Sequence, residues 1–291
     1  MAPDLLPADT AMGAVTLLVA DPDAMTRYYR DAIGLDVLAA DAGTVTLGRG
    51  GRALIHLEFA PDLSPAALGS AGLFHTAILF ESRAALAAAV YSTATLAPAS
   101  FTGSADHLVS QAFYFTDPEG NGVELYWDRD RTQWSWVHGH IEMATLALDP
   151  NAFIREHIEL DTAAASTTPL SPGGAEVGHV HLSVGDIAQA REFYVDRLGF
   201  ETTAALGDQA LFVSAGGYHH HMAMNTWASR GASPRTRALG LGEVDIVVPS
   251  SDEVGALVER MTHFGSAPAD DGRTVTISDP WNNTIRVTSS A

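Results

Sequence analysis

The stretch Gly178-His-Val-His-Leu-Ser-Val-Gly-Asp186-Ile-Ala-Gln-Ala-Arg-Glu-Phe-Tyr194-Val-Asp-Arg-Leu-Gly-Phe200 decides the fold, because the chain contains it twice. The other copy is Gly13-Ala-Val-Thr-Leu-Leu-Val-Ala-Asp21-Pro-Asp-Ala-Met-Thr-Arg-Tyr-Tyr29-Arg-Asp-Ala-Ile-Gly-Leu35. Asp21 answers Asp186, Tyr28-Tyr29 answers Phe193-Tyr194, and Gly34-Leu35 answers Gly199-Phe200, all at one offset, which marks a duplication. Each copy opens on an alternating strand, Val15 to Val19 or Val180 to Val184. An Asp suited to cap a helix follows, then apolar residues at helical spacing, then a Gly suited to the left-handed C′ position.

Working outward, each copy continues into strands: Thr44 to Gly48 and Arg52 to Phe59 in the first, Ala210 to Ser214 and Tyr218 to Thr226 in the second. The unit therefore reads βαβββ. Two weaker units complete the set. One comprises Leu73 to Phe80, a helix through Arg83 to Tyr91 and the strands ending at Trp127; the other has Glu243 to Val248, a helix from Ser251 to Phe264 and strands through Val287. Their turns correspond, Asp117-Pro118 to Asp279-Pro280 and Asn121 to Asn283. Residues 149–176 pair a short helix at Asn151 to Ile158 with a small, polar Thr/Ala/Ser/Pro/Gly run, the composition of a linker. The expectation is an α+β protein of four βαβββ modules: an N-terminal domain over 11–148, the linker over 149–176, and a C-terminal domain over 177–291. A half-exposed sheet of this size needs a partner, so consecutive modules are expected to pair around a shared cup.

Composition excludes several function classes. The chain has 291 residues, 46% of them hydrophobic, enough for two cored domains. A formal charge of −19, from 35 acidic and 16 basic residues without a Lys/Arg run, argues against nucleic-acid binding. With no cysteine, thiolate metal sites and cysteine nucleophiles are ruled out, leaving imidazole and oxygen as ligands. Met1 to Thr10 lacks the basic and apolar regions of a secretion signal, and no 18-residue apolar window occurs, so a cytoplasmic protein with no membrane partner is expected.

The segment His107-Leu-Val-Ser-Gln-Ala-Phe-Tyr114-Phe-Thr-Asp-Pro-Glu-Gly-Asn-Gly-Val-Glu124 reads strand, turn, strand and carries a His, a Tyr and a Glu at fixed intervals. Glu124 lies between Val123 and Leu125, so it points away from these apolar neighbours and shares a face with Tyr126.

Together, the four modules and this segment resemble the vicinal oxygen chelate superfamily of glyoxalases, bleomycin-resistance proteins and extradiol dioxygenases. The segment is similar to the extradiol ring-cleavage signature. The run Gly216-Gly-Tyr-His-His-His-Met-Ala-Met-Asn-Thr-Trp227 resembles the matching part of two-domain bacterial catechol-2,3-dioxygenase-like proteins. The resemblance implies cup-shaped mixed sheets with four ligand positions per domain. In the N-terminal domain these fall on Ala14, His56, His75 and Glu124; in the C-terminal domain they fall on His179, His221, Glu243 and Arg286. Two His and one Glu suit non-haem Fe(II), with Mn(II), Ni(II) or Zn(II) compatible. An extradiol enzyme has His where Ala14 stands, and His56 could replace it. Arg286 puts a cation at a ligand position. Which of His219, His220 and His221 faces a cup depends on register.

The resemblance implies ring cleavage of a catechol-type aromatic with O₂. His107 would serve as acid/base and Tyr114 would hydrogen-bond the substrate hydroxyl. The alternatives are a glyoxalase-like metal-dependent isomerase or lyase, and a non-catalytic small-molecule binding protein of the resistance type. Assembly into a homo-oligomer is left open. His138 and His140 read as packing or surface residues.

Overall fold

A computed structural model describes residues 5–158 and 173–290. The middle of the expected linker, 159–172, and the first four residues of the N-terminal segment lie outside the described residues.

Module 1 comprises β1 (Ala11–Val19), the helix α1 (Pro22–Arg27), β2 (Asp36–Ala40), β3 (Thr44–Arg49) and β4 (Arg52–Phe59). Asp21 caps α1 by accepting from the Ala24 amide at 2.9 Å, and Pro22 occupies the first turn. The helix continues through a π-wound turn, Tyr28–Ile33, and stops at Gly34, whose φ of 88° needs no Cβ. Module 2 follows with β5 (Gly72–Phe80), α2 (Arg83–Leu96), β6 (Phe101–Asp106), β7 (Ser110–Thr116) and β8 (Gly122–Asp128).

A small hairpin, β9 (Trp136–Val137) with β10 (His140–Ile141), then β11 (Leu146–Ala147) and α3 (Pro150–His157), separates the halves. Module 3 is β12 (Ala175–Ser183), α4 (Ile187–Arg191), β13 (Glu201–Leu206), β14 (Ala210–Ser214) and β15 (Met222–Asn225). Its helix repeats the first one: Asp186 accepts from the Gln189 amide at 2.8 Å, and a π-wound turn, Glu192–Arg197, precedes Gly199 at φ 94°. Module 4 is β16 (Gly240–Val248), α5 (Ser251–His263), β17 (Ala269–Asp270), β18 (Thr274–Ser278) and β19 (Thr284–Ser289).

The modules pair across the chain's midpoint, not within each half. One eight-stranded sheet, sheet A, runs β17-β18-β19-β16-β1-β4-β3-β2 and so joins modules 4 and 1. A nine-stranded sheet, sheet B, runs β11-β6-β7-β8-β5-β12-β15-β14-β13 and joins modules 2 and 3. The seams are antiparallel: Val15 pairs with Val244, and His75 pairs with His181. Pairing of consecutive modules within 11–148 and within 177–291, expected from sequence order, is therefore corrected for the sheets.

Consecutive modules instead meet across the core and through their helices. The Tyr29 hydroxyl of module 1 donates to Asp117 of module 2 at 3.1 Å, and Tyr194 donates to Asp279 at 2.9 Å in the equivalent place. Thr93 on α2 donates to the Ala32 carbonyl at 3.0 Å, and Glu119 accepts from the Ala20 and Asp21 amides.

Strand alternation sorts the residues of each sheet. Val15, Leu17, Ile55, Leu57, Val244 and Ile285 from sheet A meet Ile78, Val123, Leu125, Val180 and Leu182 from sheet B in one continuous core. The polar faces of the two sheets lie on opposite sides of that core. One of them carries the metal-ligand candidates.

Candidate metal centre

On the polar face of sheet B, His75 on β5, Glu124 on β8 and His179 on β12 come together. Register explains the convergence: Glu124 lies beside Ala77, which shares a face with His75 and is itself paired with His179. Glu124 Oε2 is 2.9 Å from His75 Nε2 and 3.2 Å from His179 Nε2. One ligand atom from each residue lies within 4.8 Å of the others, and all three side chains are buried.

His75 Nε2 is buried and, although it lies 2.9 Å from Glu124 Oε2, makes no well-aligned hydrogen bond, a close approach of two ligand atoms that a shared metal ion would satisfy. Burial opposes charge on Glu124, yet His179 and His75 hold its carboxyl well below the usual carboxylate range. Burial likewise drives the His179 imidazole down to about 4 against the pull of Glu124. Near neutral pH the set is thus one buried carboxylate with a neutral His179. Uncompensated buried negative charge is expensive, and a divalent cation would balance it. Two imidazoles and one carboxylate match the donor set of non-haem Fe(II), with Zn(II), Mn(II) and Ni(II) chemically competent.

Backbone details hold this arrangement. A Cβ at Gly178 would lie 1.7 Å from the Tyr126 hydroxyl, so only glycine there lets Tyr126 pack against the His179 ring, 4.8 Å between centroids. Beside the triad, His107 Nε2 lies 2.6 Å from the Tyr114 hydroxyl, and His107 Nδ1 lies 2.7 Å from the Ala144 carbonyl. A carbonyl only accepts, so Nδ1 carries the proton and Nε2 accepts from Tyr114 in the neutral ring. Leu108, next in the hairpin, has φ 70°, a strained conformation for leucine that the Asp106 side chain supports through the Leu108 amide at 2.9 Å. Tyr114 faces Glu124 across the β7/β8 ladder. Burial and the Glu124 charge push its hydroxyl well above the ordinary tyrosine range, so it stays a donor.

The sites expected from sequence are re-sorted by the sheet pairing. His75 and Glu124 meet His179, so β12 of module 3 supplies the imidazole that Ala14 lacks. His56 does not replace Ala14 in that set: it sits on sheet A, with Nδ1 3.0 Å from the Thr46 hydroxyl. Glu243 is on sheet A too, 3.3 Å from Arg286, away from His179. His221 is turned aside. Its Nδ1 accepts from the Ala215 amide at 3.2 Å, and its ring stacks on Phe200.

The strand expected over Tyr218 to Thr226 forms only from Met222. Gly216 and Gly217, both left-handed, fold Tyr218, His219 and His220 over the site instead. His138 and His140 are exposed.

Sequence reasoning missed a buried polar chain that borders the triad. His219 Nε2 lies 3.0 Å from Asp128, Tyr218 donates to Asp128 at 2.7 Å, and the Tyr218 and Tyr126 hydroxyls are 2.8 Å apart. His220 pairs with His219 at 2.8 Å and stands 4.1 Å from His179 between ring centroids. His181 was also missed, although its spacing of two from His179 was a readable signal. It accepts from Asn225 at 3.0 Å and packs on Phe74 and Trp227, which form an aromatic edge to the site. Burial, then neighbouring imidazoles, push both His181 and His220 well below the usual histidine range, so they are neutral.

The family model for the Glyoxalase/Bleomycin resistance protein/Dioxygenase superfamily matches residues 11–125 and 176–287. A protein of Bacillus subtilis (strain 168) named catechol-2,3-dioxygenase is 35% identical over 277 residues, 94% of each chain. Among solved structures, a Bacillus subtilis protein provisionally described as a dioxygenase aligns with TM-score 0.65 at 13% identity, covering 96% of this chain and 84% of that one. Glyoxalase I from Zea mays aligns with TM-score 0.55 at 15% identity, covering 97% and 92%. These structural likenesses are likenesses of fold. With the twice-matched family model, the repeated modules and a relative similar from end to end, the chain belongs to the Glyoxalase/Bleomycin resistance protein/Dioxygenase superfamily.

Proposed function

We propose that this protein is an extradiol ring-cleaving dioxygenase of a catechol-type aromatic, with Fe(II) held by His75, Glu124 and His179. The observation that carries the reading is the two-His, one-carboxylate set beside the His107–Tyr114 hydrogen bond. The 35% identical relative named catechol-2,3-dioxygenase supports it. When bound, the metal would hold the two vicinal oxygens of the substrate and bring O₂ beside them.

The protein's own groups do the rest. Phe74 and Trp227, 5.3 Å apart at the edge of the site, offer flat apolar surface to an aromatic ring. Tyr114, held as a phenol, has one proton to give, and with substrate bound that proton turns from His107 Nε2 to a substrate oxygen. His107, its Nδ1–H fixed on the Ala144 carbonyl, has Nε2 free to take a proton from Tyr114 or from substrate and return it. The buried chain from Tyr126 through Asp128 to His219 excludes water from the His179 side.

The deciding experiment is metal analysis of anaerobically purified protein, followed by catechol and O₂. Stoichiometric iron with yellow ring-opened product is the expected result. Nickel or zinc with thiol-adduct turnover would replace the reading by the glyoxalase-like one. Metal-free protein that binds a small aromatic tightly would replace it by a sequestering role.

A further inference from the structure

The polar face of sheet A, behind the shared core, carries a cavity of about 490 Å³. Thr16, Glu58, Arg235, Arg237, Glu243 and Thr284 are among the residues that line it, with Asn282. By the repeat, the positions of His75, Glu124 and His179 are taken here by Glu243, Arg286 and Ala14. The Arg286 guanidinium is held by Asp245 through two bonds of 2.6 and 2.7 Å and lies 3.3 Å from Glu243. A fixed cation thus stands where the other face has its metal-facing carboxylate, so this cavity is built for an organic ligand and not for a metal.

Arg235 is the unusual member. No carboxylate pairs with it among the described residues, and its Nε is buried without a partner. Its position is nevertheless fixed. The Arg235 amide donates to the Trp281 carbonyl at 3.0 Å, its Nη2 donates to the Leu241 carbonyl at 2.6 Å, and its carbonyl accepts from Asn282 Nδ2 at 3.1 Å. Asn282 holds φ 62°, where the matching turn of module 2 uses Gly120 at φ 88°. Asparagine tolerates this backbone better than most residues with a side chain, and here the side chain is spent on clamping Arg235. Asp279 acts on its charge only from beyond ion-pair distance, and a rigid guanidinium with no carboxylate in contact is a preorganised anion site.

Arg237 reaches from the same loop to Glu58 at 2.7 Å, both largely exposed. Such exposed pairs are weak, so a ligand carboxylate can take Arg237 from Glu58 at little cost. Arg237 is matched by Glu58, and Arg286, behind the lining, by Asp245 and Glu243, which leaves Arg235 as the guanidinium of this face with no contacting carboxylate and disfavours a ligand with a second negative charge. Thr16, Thr284 and Glu243 offer hydrogen bonds suited to hydroxyl groups.

We propose that this cavity binds a small hydroxylated monocarboxylate, its carboxylate on Arg235 and Arg237 and its hydroxyls on Thr16, Thr284 and Glu243. The site is separate from the metal centre and does not depend on the dioxygenase reading.

The test is calorimetric titration of the full-length, metal-loaded protein with three matched probes: 3-hydroxybutyrate, butyrate and 1,3-butanediol. Saturable binding should be strongest for 3-hydroxybutyrate, weaker for butyrate and absent for the diol. Arg235→Gln should weaken 3-hydroxybutyrate by at least about tenfold. The exposed Arg237→Glu, which leaves the Arg235 clamp untouched, should weaken it severalfold while metal content stays that of the parent protein. Indistinguishable probes, absent saturation, or 3-hydroxybutyrate affinity unchanged in both variants overturns the proposal. Unchanged affinity would put any binding at the metal centre.

Discussion

Glu124 is the side chain whose surroundings constrain the chemistry most. Its carboxylate is buried, charged and shared between two imidazoles, so it gains most from a bound cation. Glu124→Gln, which keeps shape and removes charge, should lower metal affinity beyond the roughly 10–100-fold typical of losing an outer partner. Chelator competition measures it, and parent-like affinity would remove Glu124 from the ligand set. Tyr114→Phe should retain metal while turnover falls by about 10²-fold. Steady-state kinetics on iron-replete protein decides, and unchanged turnover would remove the hydroxyl from the mechanism.

His221 gives a pH prediction away from the triad. Burial first, then His219 and Arg131, lower its imidazole to about 3, against an unfolded value near 6.5. A base depressed in the folded state stabilises the fold above its unfolded pKa, and that contribution is lost as pH falls toward the folded value. Between pH 7 and pH 5 this single group should cost about 2 kcal/mol in the metal-free protein. Urea unfolding at the two pH values measures the loss, and His221→Gln should reduce it.

At the scale of elements, the repeat is visible in how each helix is started, stopped and pinned. Asp21 and Asp186 cap, Gly34 and Gly199 terminate, and Tyr29 and Tyr194 reach Asp117 and Asp279. Each of these aspartates also accepts from an Asn four residues on, Asn121 or Asn283, at 2.9 Å. Asp117→Ala and Asp279→Ala should therefore destabilise by similar amounts, about 1–3 kcal/mol each, by leaving a buried hydroxyl and amide unpaired. Thermal melts of the two variants test the equivalence, and one silent variant would break it. These features were legible because they depend on residues close in sequence. The strand expected over Tyr218 to Thr226 was not: its alternation is real, but Gly216 and Gly217 turn the chain so that Tyr218 bonds Asp128.

At the scale of the molecule, both sheets have their central seam between strands from different halves of the chain, β1 with β16 and β5 with β12. Residues 1–158 expressed alone should not fold into a metal-binding unit, because both seams and His179 are missing. Adding residues 159–291 should restore cooperative unfolding and metal binding. Circular dichroism and metal titration of the separate and mixed fragments check this, and a stable metal-binding N-terminal fragment would contradict the observed pairing.

The sequence by itself determined the four βαβββ units, their caps and turns, and the neighbourhood of His107, Tyr114 and Glu124, since each rests on local spacing and alternation. Which unit meets which was decided only by the tertiary structure. All four units have similar first strands, alternation does not name the strand that will occupy a free edge, and the choice rests on contacts between residues far apart in the chain. That choice moved His179 beside His75 and Glu124, and left Ala14, His56, Glu243 and Arg286 on the opposite face.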